Sequence, residues 1–423
     1  MASSVLNPGK HQPQGASESP AAAWLSVDVA IVGGGIAGLT LAAALRKSEL
    51  TVAVVEAQTP QKSAARSRAY AFSLTSGDIF RGLGLWEEVA PHITHFSQVR
   101  LSDGDFAQGV CFQPSDIGSQ AVYYAAEHPI LMKALQKAVQ ASPQVHYLSP
   151  AKVESIQHQP DEVELRIRTS DGDLNLRTPL LVAADGMRSQ LRQQAQIDTF
   201  GWKYWQSCIT TVLEPAMDHH NIAYERFWPS GPFAILPLPG KRCQIVWTAP
   251  HQEAEQLMAL PKSEFLALLQ RRFGDQMGPV KLLSEPLMFP VRLMQSHRYV
   301  QPRLALIGDA AHACHPVGGQ GLNMGIRDAA ALAEVLIAAH SRGEPIGSIK
   351  VLKRYERWRR AENWLILSFT DFLNRCFSNQ IWPVVALRRL GIVVLQRASP
   401  LKHLSLRLMT GRLGRVPKVA RPH

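Results

Sequence analysis

Three clusters of glycine and acid in this chain could act together on one ligand. The first is Gly33-Gly34-Gly35-Ile36-Ala37-Gly38, preceded by Asp28-Val29-Ala30-Ile31-Val32 and followed by Leu39 to Lys47. The apolar run predicts a buried parallel strand, the glycines a tight turn and the residues after them a helix. Within G-x-G-x-x-G, Gly33 makes the turn, Gly35 lets backbone approach a pyrophosphate, and Gly38 lets helix and strand pack closely. The helix N-terminus offers unpaired N–H groups and a positive dipole end to phosphates. A second strand, Thr51 to Val55, ends at Glu56, 18 residues after Gly38, where an acid can accept from ribose hydroxyls. Strand, turn, helix and terminal acid together point to an adenine dinucleotide rather than to a glycine turn in an ordinary βα unit. They do not separate FAD from NAD.

The second cluster does. Leu304 to Ile307 predicts another buried strand, ending in Gly308-Asp309, and Ala310 to Gly321 leads into a helix expected from Leu322 to Ala339. An Asp at a strand end accepts from sugar-like hydroxyls, and a glycine-rich loop opening a helix presents N–H groups to an anion. Together they suit the ribityl chain and the N1/C2=O edge of a flavin, which becomes negative on reduction. The third cluster, Asp185-Gly186 after the run Pro179 to Ala184, also fits a plain tight turn. His312, Cys314 and His315 share one tight loop without a distant fourth ligand, so no metal is expected there; His315-Pro316 is placed beside the flavin ring.

The elements that must position these clusters need a large α/β body. The chain has 423 residues, 46% hydrophobic and 19% charged, which excludes a disordered chain, a collagen-like repeat and a coiled coil. Five scattered cysteines without CxxC argue against a disulfide framework and fit a reducing compartment. Net charge is +11, and from Gln380 to His423 there are nine Lys/Arg and no acid. Residues 1–26 are Ser-, Pro- and Gly-rich, without the apolar stretch of a secretory signal, and read as a disordered leader. The charge-free run Val29 to Leu45 could pass for a membrane span, but its glycines favour strand, turn and helix.

These junctions, in this order, resemble the FAD-dependent aromatic hydroxylases of the para-hydroxybenzoate hydroxylase class. Arg68-Ala69-Tyr70-Ala71-Phe72, Leu83-Gly84-Leu85-Trp86, Gln206-Ser207, Phe233 to Leu238, Val246-Trp247-Thr248 and Tyr355 to Arg360 are similar to the ubiquinone-biosynthesis hydroxylase family. The resemblance runs from about Val27 to the C-terminus. It implies an α/β fold: a Rossmann-like FAD-binding domain with an inserted mixed β-sheet substrate domain and a C-terminal helical segment. The expected divisions are FAD-binding parts at 27–100, 126–198 and 301–378, substrate-domain parts at 101–125 and 199–300, and a basic helical tail at 379–423. By resemblance, Gly33, Gly35, Ile36, Ala37, Gly38, Glu56, Arg68, Asp185, Asp309, Pro316, Gly319, Gln320, Gly321, Leu322 and Asn323 would hold FAD. Val153 would lie against the adenine. Glu127-His128, where relatives often carry Glu-Asn, begins a helix near the isoalloxazine.

The chemistry implied is hydroxylation of a polyprenylated phenol or quinol in isoprenoid-quinone synthesis. NAD(P)H, docking transiently, or a small reductase would reduce the flavin, and O2 would then form a C4a-hydroperoxyflavin. Related alternatives are a halogenase, an isoprenoid reductase, or a non-catalytic FAD-bound scaffold of a quinone-synthesis complex. No catalytic residue is named at this stage. Trp202, Tyr204, Trp205, Phe227, Trp228, Phe233 and Trp247 could line a substrate cavity or simply pack the core. Arg226 and Arg292 could bind a substrate carboxylate or sit in solvent. The tail's apolar runs, Ile381 to Leu387 and Ile392 to Leu395, flank Arg388 and Arg389. They fit a membrane surface with the arginines near anionic lipid, or a helix pair packed on the FAD domain. Expected localisation is cytoplasmic or peripheral on a membrane. No nucleic acid partner is expected.

Overall fold

The computed structural model describes residues 23–104 and 106–421. Short apolar strands build a six-stranded sheet in the order Val300–Gln301, Leu304–Leu306, Leu180–Ala183, Val29–Val32, Val52–Val55, Val145–Leu148. All neighbours are parallel except the first pair. Their charge-free runs are what a parallel sheet covered on both faces requires. Leu180–Ala183, Val29–Val32 and Leu304–Leu306 lie side by side. Their carboxyl ends carry Asp185, the Gly33–Gly38 turn and Asp309, which is how chain segments far apart in sequence converge on one crevice. The charge-free run resolves into strand Val29–Val32 and helix Ile36–Leu45. Among the described residues no helix is long and apolar enough to cross a membrane.

A nine-stranded sheet lies beside this body. Most of it comes from residues 199–296, but Gln98–Asp103 and Gly109–Phe112 join from earlier in the chain, the former parallel to Ile222–Trp228. Helices His251–Ala259 and Lys262–Phe273 cover one face, over a core that includes Phe233, Ile245, Trp247, Phe265 and Phe273. The other face looks into the molecule. One side chain pins the two bodies together: Gln244 accepts from the Ala69 N–H at 2.5 Å and donates to the Ala69 carbonyl at 2.9 Å.

At the ends, one expectation changes and one open choice narrows. Residues 1–22 of the expected leader lie outside the described residues, but Ala23–Ser26 is a strand paired in parallel with Leu174–Arg177. Its pairing is helped by the Arg177 guanidinium, 4.3 Å over the Trp24 ring. The tail forms helices Trp382–Arg397 and Ser399–Met409 after the long helix Ile349–Phe377. Arg388 and Arg389, which fitted either a lipid surface or packing on the body, meet Asp103 at 2.9 and 3.2 Å. Asp103 is buried, and a buried carboxylate needs such counter-charge. Lys402, Arg412 and Arg415 pair with Asp116, Asp78 and Glu334. Much of the tail's charge therefore fastens it to the body.

Candidate active site

A cavity of about 1390 Å³ runs from the carboxyl ends of the parallel strands, beneath the nine-stranded sheet, to the C-terminal helices. Ordinary small-molecule pockets hold roughly 300–1,000 Å³, so there is room for a dinucleotide and a second ligand.

At the nucleotide end, Gly33 has φ +111° and a side chain there would meet the Ala184 carbonyl. A Cβ at Gly38 would lie 2.0 Å from the Gly33 carbonyl oxygen, whereas one at Gly35 meets nothing within 4 Å. Gly35 thus faces open space and Gly38 faces its own strand, so Gly38 does not line the cavity, although Gly33, Gly35, Ile36 and Ala37 do. Helix Ile36–Leu45 starts without a side-chain cap, which leaves its first amides available to an anion. Glu56 Oε2 accepts from the Gly34 amide and Oε1 from Gln58, both at 2.8 Å. This fixes the carboxylate while leaving lone pairs for ribose hydroxyls. Val153 lines the same end, on strand Ala151–His158.

At the flavin end, Arg68, Asp185, Asp309, Pro316, Gly319, Gln320, Gly321 and Leu322 line the cavity. Gly318 and Gly319 both have positive φ, 65° and 61°, and lead directly into helix Gln320–His340. Asp309 is enclosed by the protein yet opens onto the cavity; desolvation raises its carboxyl, while His312 and Arg68 oppose the rise. Asp185 Oδ2 caps the amides of Gln190 and Leu191, and Oδ1 is buried without a partner. Asn323 departs from expectation. Its amide donates to the Ala71 and Gly319 carbonyls and accepts from the Ser73 amide and the Ser76 hydroxyl, each at 2.8 Å. With those bonds made it holds the loop in shape and does not line the cavity.

His312, Cys314 and His315 do not converge. His312 Nε2 donates to Asp328 at 2.5 Å. Cys314 lines the cavity with its thiol pushed up to about 12 by burial. His315, expected beside the ring, is buried and does not line the cavity; it lies edge-on to Tyr204 at 5.0 Å, and burial pushes its pKa down to about 3. Glu127 makes a two-pronged ion pair with Arg242, at 3.1 and 2.9 Å, that joins the two bodies. His128 does line the cavity. Its Nε2 donates to the Ser63 carbonyl at 2.8 Å, which leaves Nδ1 to accept from Tyr70 at 3.0 Å. Burial, together with Arg66 and Arg68, outweighs the Ser63 bond and lowers its pKa, consistent with that neutral tautomer.

Of the seven candidate aromatics, Phe227 lines this cavity; Phe233 and Trp247 pack against the covering helices. Arg226 is turned away, donating to the carbonyls of Arg272 and Phe273, while Arg292 lines the cavity. The chamber is otherwise apolar, with Phe289, Leu101 and Leu236 on its sheet side and Leu373, Ile392 and Leu395 on its helix side. The residue that sequence reasoning passed over is Glu225, which also lines it. Its only signal in the sequence was an acid beside Arg226 in a strand otherwise made of apolar and aromatic residues.

The uncapped helix end, the open face of Gly35, the partnerless Asp185 oxygen and the carboxylates of Glu56 and Asp309 fit an extended dinucleotide with a flavin head. Comparison with known proteins agrees. A family model described as FAD binding domain matches residues 26–370. The chain is 50% identical to an uncharacterized protein of Synechocystis sp., over 93% of this chain and 95% of that one. It is 38% identical to the ubiquinone hydroxylase UbiL of Rhodospirillum rubrum, over 93% and 92%. It is 34% identical to the 3-demethoxyubiquinol 3-hydroxylase of Escherichia coli, over 91% and 98%. In fold it is similar to the crystal structure of the p-nitrophenol 4-monooxygenase PnpA of Pseudomonas putida, with TM-score 0.78, 21% identity, and coverage of 92% and 99%.

Proposed function

Because the chain belongs to the FAD-binding aromatic monooxygenases, in the family of the ubiquinone-biosynthesis hydroxylases, we propose that it hydroxylates the ring of a polyprenylated phenol or quinol on the way to an isoprenoid quinone. The observation that carries this reading is continuity: one cavity joins the dinucleotide cradle to an apolar chamber and then to the C-terminal helices. A ring under the sheet with an apolar tail trailing along those helices would fill it.

FAD, when bound, supplies the two-electron chemistry between a nicotinamide donor and O2. The protein's part is position and dryness. Gly33, Gly35 and the first turn of helix Ile36–Leu45 seat the pyrophosphate; Glu56 takes the ribose; Asp309 and the Gly319–Leu322 amides face the ribityl chain and the pyrimidine edge. Arg68, held over Tyr70 and Phe289 at 5.3 and 5.1 Å, adds positive charge where a reduced ring would be negative. Apolar walls on both sides of the chamber keep water from the reacting ring.

The tail would enter from a membrane surface. Ile381, Trp382, Leu387 and Leu390 are 62%, 79%, 68% and 58% exposed, and Leu387 also lines the cavity. This apolar mouth, on a helix that ends in Arg397, suits the headgroup region of an anionic bilayer.

The test is product analysis. FAD-loaded protein given NAD(P)H, isotopically heavy O2 and a prenylated phenol in detergent should place one heavy oxygen on the ring. If it oxidises NAD(P)H yet labels no prenylated ring of any kind, the reading falls.

A further inference from the structure

The sheet over the chamber presents adjacent rows of side chains to the cavity. Strand register aligns Val110, Leu101, Glu225, Ala234, Val246 and Thr210 in one row, and all of them line the cavity. Glu225 is the ionisable member of this row. The neighbouring row, with Val99, Ala223 and Leu236, is apolar apart from Gln244, which is spent on Ala69. A carboxylate in such a place has a cost, and nothing in the fold explains it. Glu225 takes part in no ion pair among the described residues, and the one polar group acting on it is the Gly318 amide. Gly318 belongs to the glycine loop that lines the same cavity, so loop and carboxylate face one chamber.

Resting on the functional reading above, we propose that Glu225 is a catalytic residue, the general base that removes the proton of the substrate's ring hydroxyl as the ring takes up oxygen. The O–H bond breaks, its electron pair stays on the phenolic oxygen and flows into the ring, and the proton passes to a Glu225 oxygen. When the ring carbon that took up oxygen gives up its hydrogen as a proton, to the second oxygen atom of O2 that leaves as water, the ring becomes aromatic again and Glu225 returns its own proton to the phenolic oxygen. Over the cycle, ring C–H, O2, NAD(P)H and one proton give ring C–OH, water and NAD(P)+.

The surroundings fit the task. Burial pushes the carboxyl up to about 7, against a smaller opposing pull from the Gly318 amide. A base is most effective with its pKa near the working pH. The other ionisable groups around the chamber leave this role to Glu225, and His128 has both ring nitrogens committed, to the Ser63 carbonyl and the Tyr70 hydroxyl. Cys314 and Tyr123 are held protonated by burial, and Cys208, whose thiol senses Glu225, is pushed up to about 12. Arg388 is taken by Asp103. Arg68, just before strand Ala69–Phe72, faces Tyr70 and Phe289, and Asp309 senses it. On Glu225's own strand, Arg226 is bound to backbone carbonyls, and Tyr224 carries the guanidiniums of Arg100 and Arg226 against its ring.

The experiment compares FAD-loaded wild type, Glu225→Gln and Glu225→Asp on a prenylated phenol, with thermal melting and flavin absorbance confirming fold and occupancy. Wild-type kcat should rise with pH through about 7 as the carboxylate forms. Glu225→Gln should lose about a hundredfold in kcat, with the inflection gone and KM little changed. Glu225→Asp should keep the inflection at a lower rate. Ring-fluorinated phenols, which give up their proton more readily, should shrink the Glu225→Gln defect. Substrate binding, read from the shift of the flavin bands, should be nearly equal in all three. A Glu225→Gln enzyme with wild-type kcat and pH profile overturns the proposal. So does a defect that acidic phenols leave unchanged. If Glu225→Gln fails to retain FAD, wild type and Glu225→Asp decide, and a flat pH profile in both overturns it. Wild type that never labels a prenylated ring defeats the functional reading and this inference together.

Discussion

Gly35 and Gly38 lie three residues apart in one motif and fail differently when changed. Gly35→Ala places its methyl in open space, so the protein alone should melt as wild type does. The methyl occupies the path of the pyrophosphate, and FAD affinity should fall at least about tenfold, ~1.4 kcal/mol. Gly38→Ala drives its methyl to 2.0 Å from the Gly33 carbonyl. The turn must open, at a cost of about 1–3 kcal/mol in overpacking, and the melting point should drop before any cofactor is added. Calorimetric melts of the apoprotein and flavin titrations separate the two. These residues were legible in the sequence because their tasks are local: a turn, a close backbone approach, a helix start. Glu225 was not, because its meaning depends on cross-strand register with residues far away in the chain. Asn323 and Arg226 were misread for the same reason, since each finds its partners only through the tertiary fold.

Helix Gln320–His340 links the flavin loop to the rest of the molecule through Asp328. This buried carboxylate accepts from the Gly308 amide, His312, Arg359 and Asn363 at 3.2, 2.5, 2.8 and 3.0 Å. Desolvation alone would raise its pKa, but His312 and Arg359 outweigh it and hold the carboxyl well below the usual range. A depressed carboxyl stabilises the fold above its unfolded pKa, about 4. That contribution fades as pH falls through the lower folded value. Acid unfolding monitored by tryptophan fluorescence should therefore begin below about pH 4, and Asp328→Asn should flatten that limb. The same variant leaves Arg359 buried with less counter-charge and should cost about 3–5 kcal/mol in urea unfolding. The sequence showed that this helix exists but put its start at Leu322. Gly318 and Gly319 adopt positive φ and no side chain caps the first turn, so the usual start signals are missing. The parallel strands were easier to place, because a charge-free run of Val, Ile and Leu allows few other readings.

Across the whole molecule, the basic tail has two parts. Arg388, Arg389, Lys402, Arg412 and Arg415 bind acids of the body, while Ile381, Trp382 and Leu390 stay exposed. Charge composition alone could not show this division, because pairing is a tertiary property. If the exposed set meets a bilayer, Trp382→Ala combined with Leu390→Glu should lower co-sedimentation with anionic phospholipid vesicles at least about tenfold. Turnover of a short-tailed, water-soluble phenol should stay at the wild-type level, since neither side chain lines the cavity.

The grip of Gln244 on Ala69 has a mechanical consequence. A strand that slides by one residue turns each side chain to the opposite face. Cys243 or Ile245 would then arrive opposite Ala69, and neither could satisfy both its N–H and its C=O. Such a slip would strand two peptide groups away from water, at about 1–3 kcal/mol each. The ceiling over the reacting ring is thereby indexed to the flavin side like a keyed joint, admitting one alignment and penalising its nearest neighbours.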